Sequence, residues 1–460
     1  MKKILVAAVI GSMWVSGNAA PFRSLSDAEL AKVDGQALLN FSRDAYSYTT
    51  SNSESVSFFK LSLDAEMELN TNIKSLQLGC GGVNGAGKCD IDITNLALSG
   101  LPSSYDSNGV PVYDNGRAST SAKITNPFIE FAVKNGGQAS TREIVGFRLG
   151  AAEILGMLTA GTENSRNPSD GIQSFSGYMK MAATQGDVNT KASKFGVTES
   201  QEIEGNLHAL GEDRVFRSDH TNAKNTGITV PSINVKFNMP ETVVTGKRMT
   251  QAKVAGISAN IPAIPLAAGE NASQAEIDRF KNDQLYVGFD PILGIAKSSL
   301  FKMGTGSKIS DLNMDISFTQ ALSMIHNLPL TGTGGYLSLQ SEAVKWAGTE
   351  REDIAQTGWW MSLKDPVQLG YLQAQEEVDI SAVLPQVADL VTAFMKTPEQ
   401  EVNVGTLEAL GTLFNVPVVR TLNIDLATAT TANPASISLN SQILKNQQVV
   451  SNCFGGLKFC

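Results

Sequence analysis

Apolar and polar residues alternate one for one along much of this chain. From Phe59 to Leu69 the apolar set Phe59, Leu61, Leu63, Ala65, Met67 and Leu69 is interleaved with Lys60, Ser62, Asp64, Glu66 and Glu68. Successive side chains of a strand point to opposite faces, so this stretch predicts a strand of roughly 35 Å with one apolar and one charged face. Beyond it Leu76 and Leu78 carry the apolar set onto even positions, which predicts a bulge or bend near Asn72 to Ser75. Asp90 to Ile93, Leu312 to Phe318 and Tyr336 to Leu339 repeat the alternation, and Asn108-Gly109, Asn115-Gly116 and Asn135-Gly136-Gly137 supply turns between such runs. The predicted fold class is mainly β: elongated antiparallel or solenoid-like β-sheets with a short N-terminal helix and one or two packing helices. No fixed-period repeat decides between the two sheet arrangements.

Three stretches carry helical signals. In the first, Ser26 and Glu29 form a capping box, Leu25 is placed to staple onto Leu30, and Gly35 supplies the stop. Such a helix is too short to stand alone and exposes an apolar edge through Leu25, Leu30 and Val33, so it must dock on this chain's own sheet or on a partner. Ser273 and Glu276 open a second helix running to Gln284. The strongest pattern is Ala382 to Lys396, capped by Ser381 and ended by Pro398, with Val383, Val387, Leu390, Val391 and Phe394 on one stripe.

Lys2 and Lys3, the apolar run Ile4 to Val15 and the small-x-small triplet Gly17-Asn18-Ala19 read as an export signal cleaved after Ala19. The expected organisation is a signal peptide over 1–19, an N-terminal β region over 20–183, a polar joint or excursion over 184–227, and a C-terminal β region over 228–460 with the helix near 382–396. Hydrophobic residues at 42% and charged ones at 18% describe an ordered chain, not a disordered one. No later run is apolar for long enough to predict a transmembrane helix. Without the two signal lysines, 34 basic residues face 45 acidic ones. That balance argues against nucleic acid as a partner.

Export implies an oxidising compartment for the four cysteines. Cys80 with Cys89 and Cys453 with Cys460 close short loops, the first around the glycine-rich turn Gly81 to Gly87, and the spacings lack the form of a structural zinc site. Two local disulfides are therefore expected.

The opening Ser26-Asp27-Ala28-Glu29-Leu30, continued by Val33, Gly35 and Gln36 behind a signal peptide, resembles exported Fil-type pilus-assembly (fimbrial) proteins of Gram-negative bacteria. Asn126 to Phe131, Val145 to Gly150 and Asp353 to Met361 carry further echoes of that family. The resemblance implies a cell-surface or extracellular protein, or one of the periplasm and outer membrane, with other surface-assembly proteins as partners. It brings no catalytic residues, cofactor or metal ligand.

The residues themselves assemble no enzyme. His208, His220 and His326 are the only histidines, and no G-x-S-x-G elbow accompanies them. His220 beside Asp219 reads as a solvated polar loop. Gly304 to Lys308 lacks the full phosphate-loop spacing and Asp106 to Gly109 lacks the downstream acid of a calcium loop, so both read as turns. Trp359 and Trp360, adjacent on a strand, must face opposite sides, one into the core and the other to a partner or surface. The expectation is a non-enzymatic exported surface protein, a component or assembly factor of a fimbrial or pilus-like structure. The alternatives are an outer-membrane β-barrel and, behind it, a secreted hydrolase.

Overall fold

The computed structural model describes residues 39–49, 55–294 and 296–452. The expected signal peptide, the helix expected at Leu25 to Gly35, and Cys453 with Cys460 lie outside the described residues. Strands hold 52% of the chain and helices 11%, so the mainly β expectation holds. Of the two arrangements left open, the long strands take the antiparallel one.

Three large sheets follow one another. The first contains eleven strands, led by Leu39–Thr49, Ser55–Leu63, Ala122–Lys134 and Glu143–Thr159. It closes partly on itself. Glu143–Thr159 pairs with Asn327–Gln340, that strand with Gly358–Leu363, that with Ile172–Met181, that with Ile91–Ser99, and Ile91–Ser99 again with Glu143–Thr159. The result is a five-strand ring from which Ala122–Lys134, Ser55–Leu63 and Leu39–Thr49 spread as an open wing. A seven-strand sheet built around Gln251–Pro265 and Lys308–Ala321 and a six-strand sheet around Glu204–Ala209 and Leu285–Ile292 come next. Residues from both of these sheets share one hydrophobic core.

The founding alternation breaks sooner than expected. Ser55–Leu63 and Glu66–Leu69 are separate strands on the same neighbour, interrupted at Asp64 and Ala65. Between Ser62–Phe128 and Glu66–Thr125 the register slips by one, with Leu63 to Ala65 opposite only Asn126 and Pro127. Asn126 sits at φ 48, a left-handed backbone that asparagine tolerates, and its N–H donates to Ala65 O at 2.9 Å across the break. After Asn70 the strand Thr71–Leu78 begins on a new partner, and the reset expected at Asn72 to Ser75 lies within it: the pairing skips Lys74 opposite Asn95, at φ 53, and Ile73, Leu76 and Leu78 all pack against one core.

The stretch 184–227, read as a polar joint or excursion, contains four strands: Thr184–Asn189, Ser193–Phe195, Glu204–Ala209 and Glu212–Ser218. It leads the chain from the middle sheet to the end sheet.

Among the described residues four α-helices occur: α1 (Gln274–Phe280), α2 (Leu384–Met395), α3 (Thr406–Thr412) and α4 (Ala427–Ala432). Ser273 caps α1 as expected, its hydroxyl accepting from Glu276 N–H at 3.3 Å, but the helix stops at Phe280. α2 starts at Leu384 with Val383 rather than Ser381 at its N-cap, and Pro385 in its first turn explains the late start. Its Val387 and Val391 are buried in the shared core.

Residues 358–440 act as a strap. On the way out the strap runs parallel to 177–209, pairing Met361 with Gly177, Leu372 with Gly186 and Val402 with Leu207. It turns at α3 and returns parallel to 301–319, pairing Val418 with Phe301, Ile424 with Ile309 and Ala435 with Met314. The chain then comes back to the ring, where buried Asn452 donates to Met157 O at 2.7 Å and accepts from Tyr113 Oη at 2.9 Å. The ring and α3 are therefore at opposite ends of the strap's path.

Candidate functional site

The apolar residues of the founding strand do not enter a closed core. Leu61, Leu63, Met67 and Leu69 line one side of an open cavity of about 630 Å3 between the wing and the ring. Cross-strand register builds its floor as rows. Leu61 faces Ile129, which faces Leu149, Leu337 and then Met361. A second row runs Met67, Ile124, Ile154. The floor stays wet: Leu61 is 41%, Ile129 40% and Leu149 45% exposed. The apolar face expected for Phe59 to Leu69 is present, and no second layer covers it among the described residues. The acidic side is exposed as expected, with Glu66 paired to Lys123 at 2.9 Å.

The cavity wall holds no acid, base or thiol; its hydroxyls belong to Ser62, Ser362 and Tyr336. At its rim Leu39–Thr49 has a single strand neighbour among the described residues, and Phe41 on that strand is 71% exposed.

The opposite face of the same sheet is dry and charged. Glu130 and Arg148, directly opposite on neighbouring strands, are both buried and meet at 2.5 Å. Arg148 also donates to Ala347 O at 2.8 Å and lies 5.0 Å over the rings of Tyr336 and Trp346. Beside them buried Asp353 accepts from Tyr336 Oη at 2.8 Å, Ser362 Oγ at 2.7 Å and Trp360 Nε1 at 3.0 Å. Burial, then the neighbouring Asp353 carboxylate, pushes the Tyr336 phenol well above its ordinary value. Tyr336 and Ser362 also border the cavity, but their hydroxyls donate to Asp353 on this dry side, where they help hold 344–355 onto the sheet.

Trp359 and Trp360 do take opposite faces. Trp360 is 1% exposed and belongs to the dry layer; Trp359 is half-buried, its ring edge-on to Phe147 at 6.2 Å, which leaves it packed rather than presented as a platform. Cys80 and Cys89 form the expected disulfide. The docking edge Leu25, Leu30 and Val33 lies outside the described residues. The other candidates resolve into local structure. His220 Nδ1 meets Glu202 at 2.7 Å rather than Asp219, and Glu202 is also held by Arg217 at 2.9 Å. Asp219 caps the loop at Thr221, which with its bonds to that residue holds its carboxyl below the usual range. Burial lowers the His326 ring, whose Nδ1 faces Ala160 O at 2.8 Å. Asp106 Oδ1 accepts from Asn108 and Val110 N–H, and Ser307 Oγ donates to Gly304 O at 2.7 Å, so both loop candidates are turns.

A second uncovered apolar surface lies at the strap's far turn. On and just after α3, Leu407 is 84% and Phe414 80% exposed, with Leu410, Leu413 and Val416 beside them. Neither surface was marked by a motif, since exposure of an apolar strand or helix depends on whether another layer arrives. No family model, no curated protein and no solved structure matches the chain.

Proposed function

We propose that the protein is an exported, non-enzymatic component or assembly factor of a fimbrial or pilus-like surface structure, and that it works by holding an apolar polypeptide segment in the cavity between wing and ring. The observation that supports this is the cavity itself: about 630 Å3, open and apolar on almost every side. The three residues of the wall that carry hydroxyls, Ser62, Ser362 and Tyr336, have no histidine, lysine or carboxylate among the lining residues to activate them, and those of Ser362 and Tyr336 are bonded to Asp353. An apolar surface of this extent is the usual mark of an interaction site. The export signal and the family resemblance supply the surface assembly. A membrane barrel accounts for the structure less well, because the closed circuit has five strands where outer-membrane barrels start at eight, and the other two sheets turn their apolar sides toward a shared core.

Fractionation tests the reading. The protein should be recovered in filaments sheared from the cell surface, and Leu149→Glu, which places a charge on the cavity floor, should remove it from that fraction while it is still exported. Recovery only as a heat-modifiable outer-membrane band would overturn the proposal in favour of the barrel.

A further inference from the structure

The two uncovered apolar surfaces have opposite shapes. One is the hollow between wing and ring; the other is α3 with the turn that follows it, whose largest side chains stand out in solvent. α3 is an inside-out helix. Its small Ala409 and Thr412 face the end sheet beside Phe301 and Val418, while Leu407, Leu410 and Leu413, three residues apart, face outward with Phe414. An ordinary surface helix turns its large apolar residues inward. The turn is also fixed in place: Val416 N–H closes the helix end on Gly411 O at 3.1 Å, and Asn415 Oδ1 accepts from Lys224 Nζ at 2.5 Å. Phe414, 80% exposed, is therefore presented on an ordered support, which lowers the entropy lost when it is buried by a partner.

Charge and size match as well. Residues 409–419 contain no charged side chain, and the charges on either side, Glu408 and Arg420, pair with each other at 2.7 Å. No charged residue lines the cavity among the described residues. Seating this tip there buries no unpaired charge, the costliest fault an apolar contact can have. The floor from Leu61 to Met361 is four strand steps wide, about 19 Å at the usual spacing, and a helix with its side chains is about 10 to 12 Å across. Within one chain the two do not meet: no residue of the tip lines the cavity, and the strap carries α3 to the far end of its path from the ring.

Resting on the reading that the cavity holds an apolar polypeptide segment, we infer that its occupant is the α3 tip of a second copy of this chain, with Leu407 and Phe414 seated on the floor of Leu61, Ile129 and Leu149. After one such contact a pair still has one free tip and one free cavity. A heterologous contact of this kind repeats from copy to copy and builds a head-to-tail row. One short helix and its turn make a small interface, so association should be reversible and depend on concentration.

Two measurements on the full mature chain test this. In the first, a photo-reactive benzoylphenylalanine replaces the exposed Phe414, and the protein is irradiated at rising concentration and mapped. Cross-links to 61–69, 124–129 or 149–158 of another copy are expected; cross-links between copies confined to any other surface, or none between copies, would overturn the inference. In the second, sedimentation velocity follows assembly. The wild type should grow into a ladder of multimers, Phe414→Glu and Leu149→Glu should each stay monomeric, and their equimolar mixture should give a particle of twice the monomer mass and nothing larger, because one variant retains the cavity and the other the tip. Assembly lost with Phe414→Glu but kept by Leu149→Glu would mean tip-to-tip contact and overturn the inference. A wild type that stays monomeric overturns it too, and sedimentation of that monomer with phosphatidylglycerol vesicles, abolished by Phe414→Glu, would assign the tip to a lipid surface instead. Bis-ANS then separates the two readings. Fluorescence lost with Leu149→Glu would show that the cavity takes apolar ligands, so the inference falls and the proposed function stands; no binding that depends on Leu149 would fell both.

Discussion

The wing-and-ring sheet and the two sheets that follow it are built from the same alternating strands, yet they dispose of their apolar sides differently. In Lys308–Ala321 of the middle sheet, Ile309, Leu312, Met314 and Ile316 are 6% exposed or less, because the end sheet and α2 contribute to the same core. In Ser55–Leu63 and Glu143–Thr159 of the first sheet, Leu61 and Leu149 remain more than 40% exposed. What differs is the arrival of a second layer. On its other side the first sheet does receive one, the segment 344–355, and there it buries an ion pair, a carboxylate and two tryptophans. One sheet therefore shows both outcomes, a dry face that fixes its shape and a wet face available for binding.

The dry face should be the hardest to disturb. Glu130→Ala leaves the Arg148 guanidinium buried without its carboxylate, and removing one partner of a buried pair costs about 3 to 5 kcal/mol. Chemical denaturation should show that loss, whereas Glu66→Ala, which breaks an exposed pair with Lys123, should cost less than about 1 kcal/mol. Equal losses would place the Glu130 pair in water and dissolve the distinction between the faces.

The contrast between core and cavity predicts the next effect. Leu312→Ala in the shared core should cost about 2 to 5 kcal/mol, the range for a buried leucine truncated in a packed interior. Leu149→Ala on the cavity floor should cost clearly less, since nearly half of its side chain is already exposed among the described residues. Melting both variants under one condition measures the difference directly.

Cys80→Ser tests the clasp at the ring's rim. The bond spans a sequence separation of 9, and by the loop-entropy model a ring of about ten residues contributes on the order of 2 to 3 kcal/mol. Reductant should lower the wild-type melting temperature and leave that of a Cys80→Ser/Cys89→Ser protein unchanged.

How much of this was legible in the sequence depends on the distance over which the signal acts. Alternation at Phe59 to Leu69 and Leu312 to Phe318 marked strands correctly because the pleat is a local property. The Cys80 and Cys89 loop was legible for the same reason. Whether Leu61 would be core or cavity floor was not, because that depends on a layer contributed by distant residues. Glu130 and Arg148 escaped notice because each is an ordinary polar step in its own alternating strand; only their cross-strand register makes them a pair. Strap strands such as Leu372–Gln373 and Val418–Arg420 are too short to carry any period.

Leu63→Asp and Asp64→Leu sharpen the comparison at adjacent positions. Leu63 is half-buried on the cavity wall and Asp64 is exposed at the strand break. Leu63→Asp puts a charge among the apolar residues of the cavity wall and should cost about 1 to 3 kcal/mol, while Asp64→Leu stays within about 0.5 kcal/mol. Equal shifts in melting temperature would mean that Leu63 meets water as freely as Asp64 does.

The smallest effect belongs to the far turn of the strap, where α3 exposes Leu407 and is held by charge rather than by burial. The Glu408 carboxylate accepts two bonds from Arg420, at 2.7 and 2.8 Å, and one from Gly405 N–H at 3.0 Å. Those bonds, Arg420 first, hold its pKa at about 2. A carboxyl whose folded pKa lies below its unfolded one stabilises the protein above the unfolded value, and that contribution disappears as pH falls through the folded one. The window therefore runs from the ordinary glutamate range, about 4.3, down to about 2. Because the pair is largely exposed, with Glu408 at 44%, its contribution should remain below about 1 kcal/mol and shrink with added salt. The melting temperature of the wild type should exceed that of Glu408→Gln slightly at pH 6, and the gap should narrow steadily below pH 4. A gap that persists unchanged at pH 3 would show that α3 is held by its packing on the end sheet, making the tip a second dry surface rather than a counterpart to the open cavity.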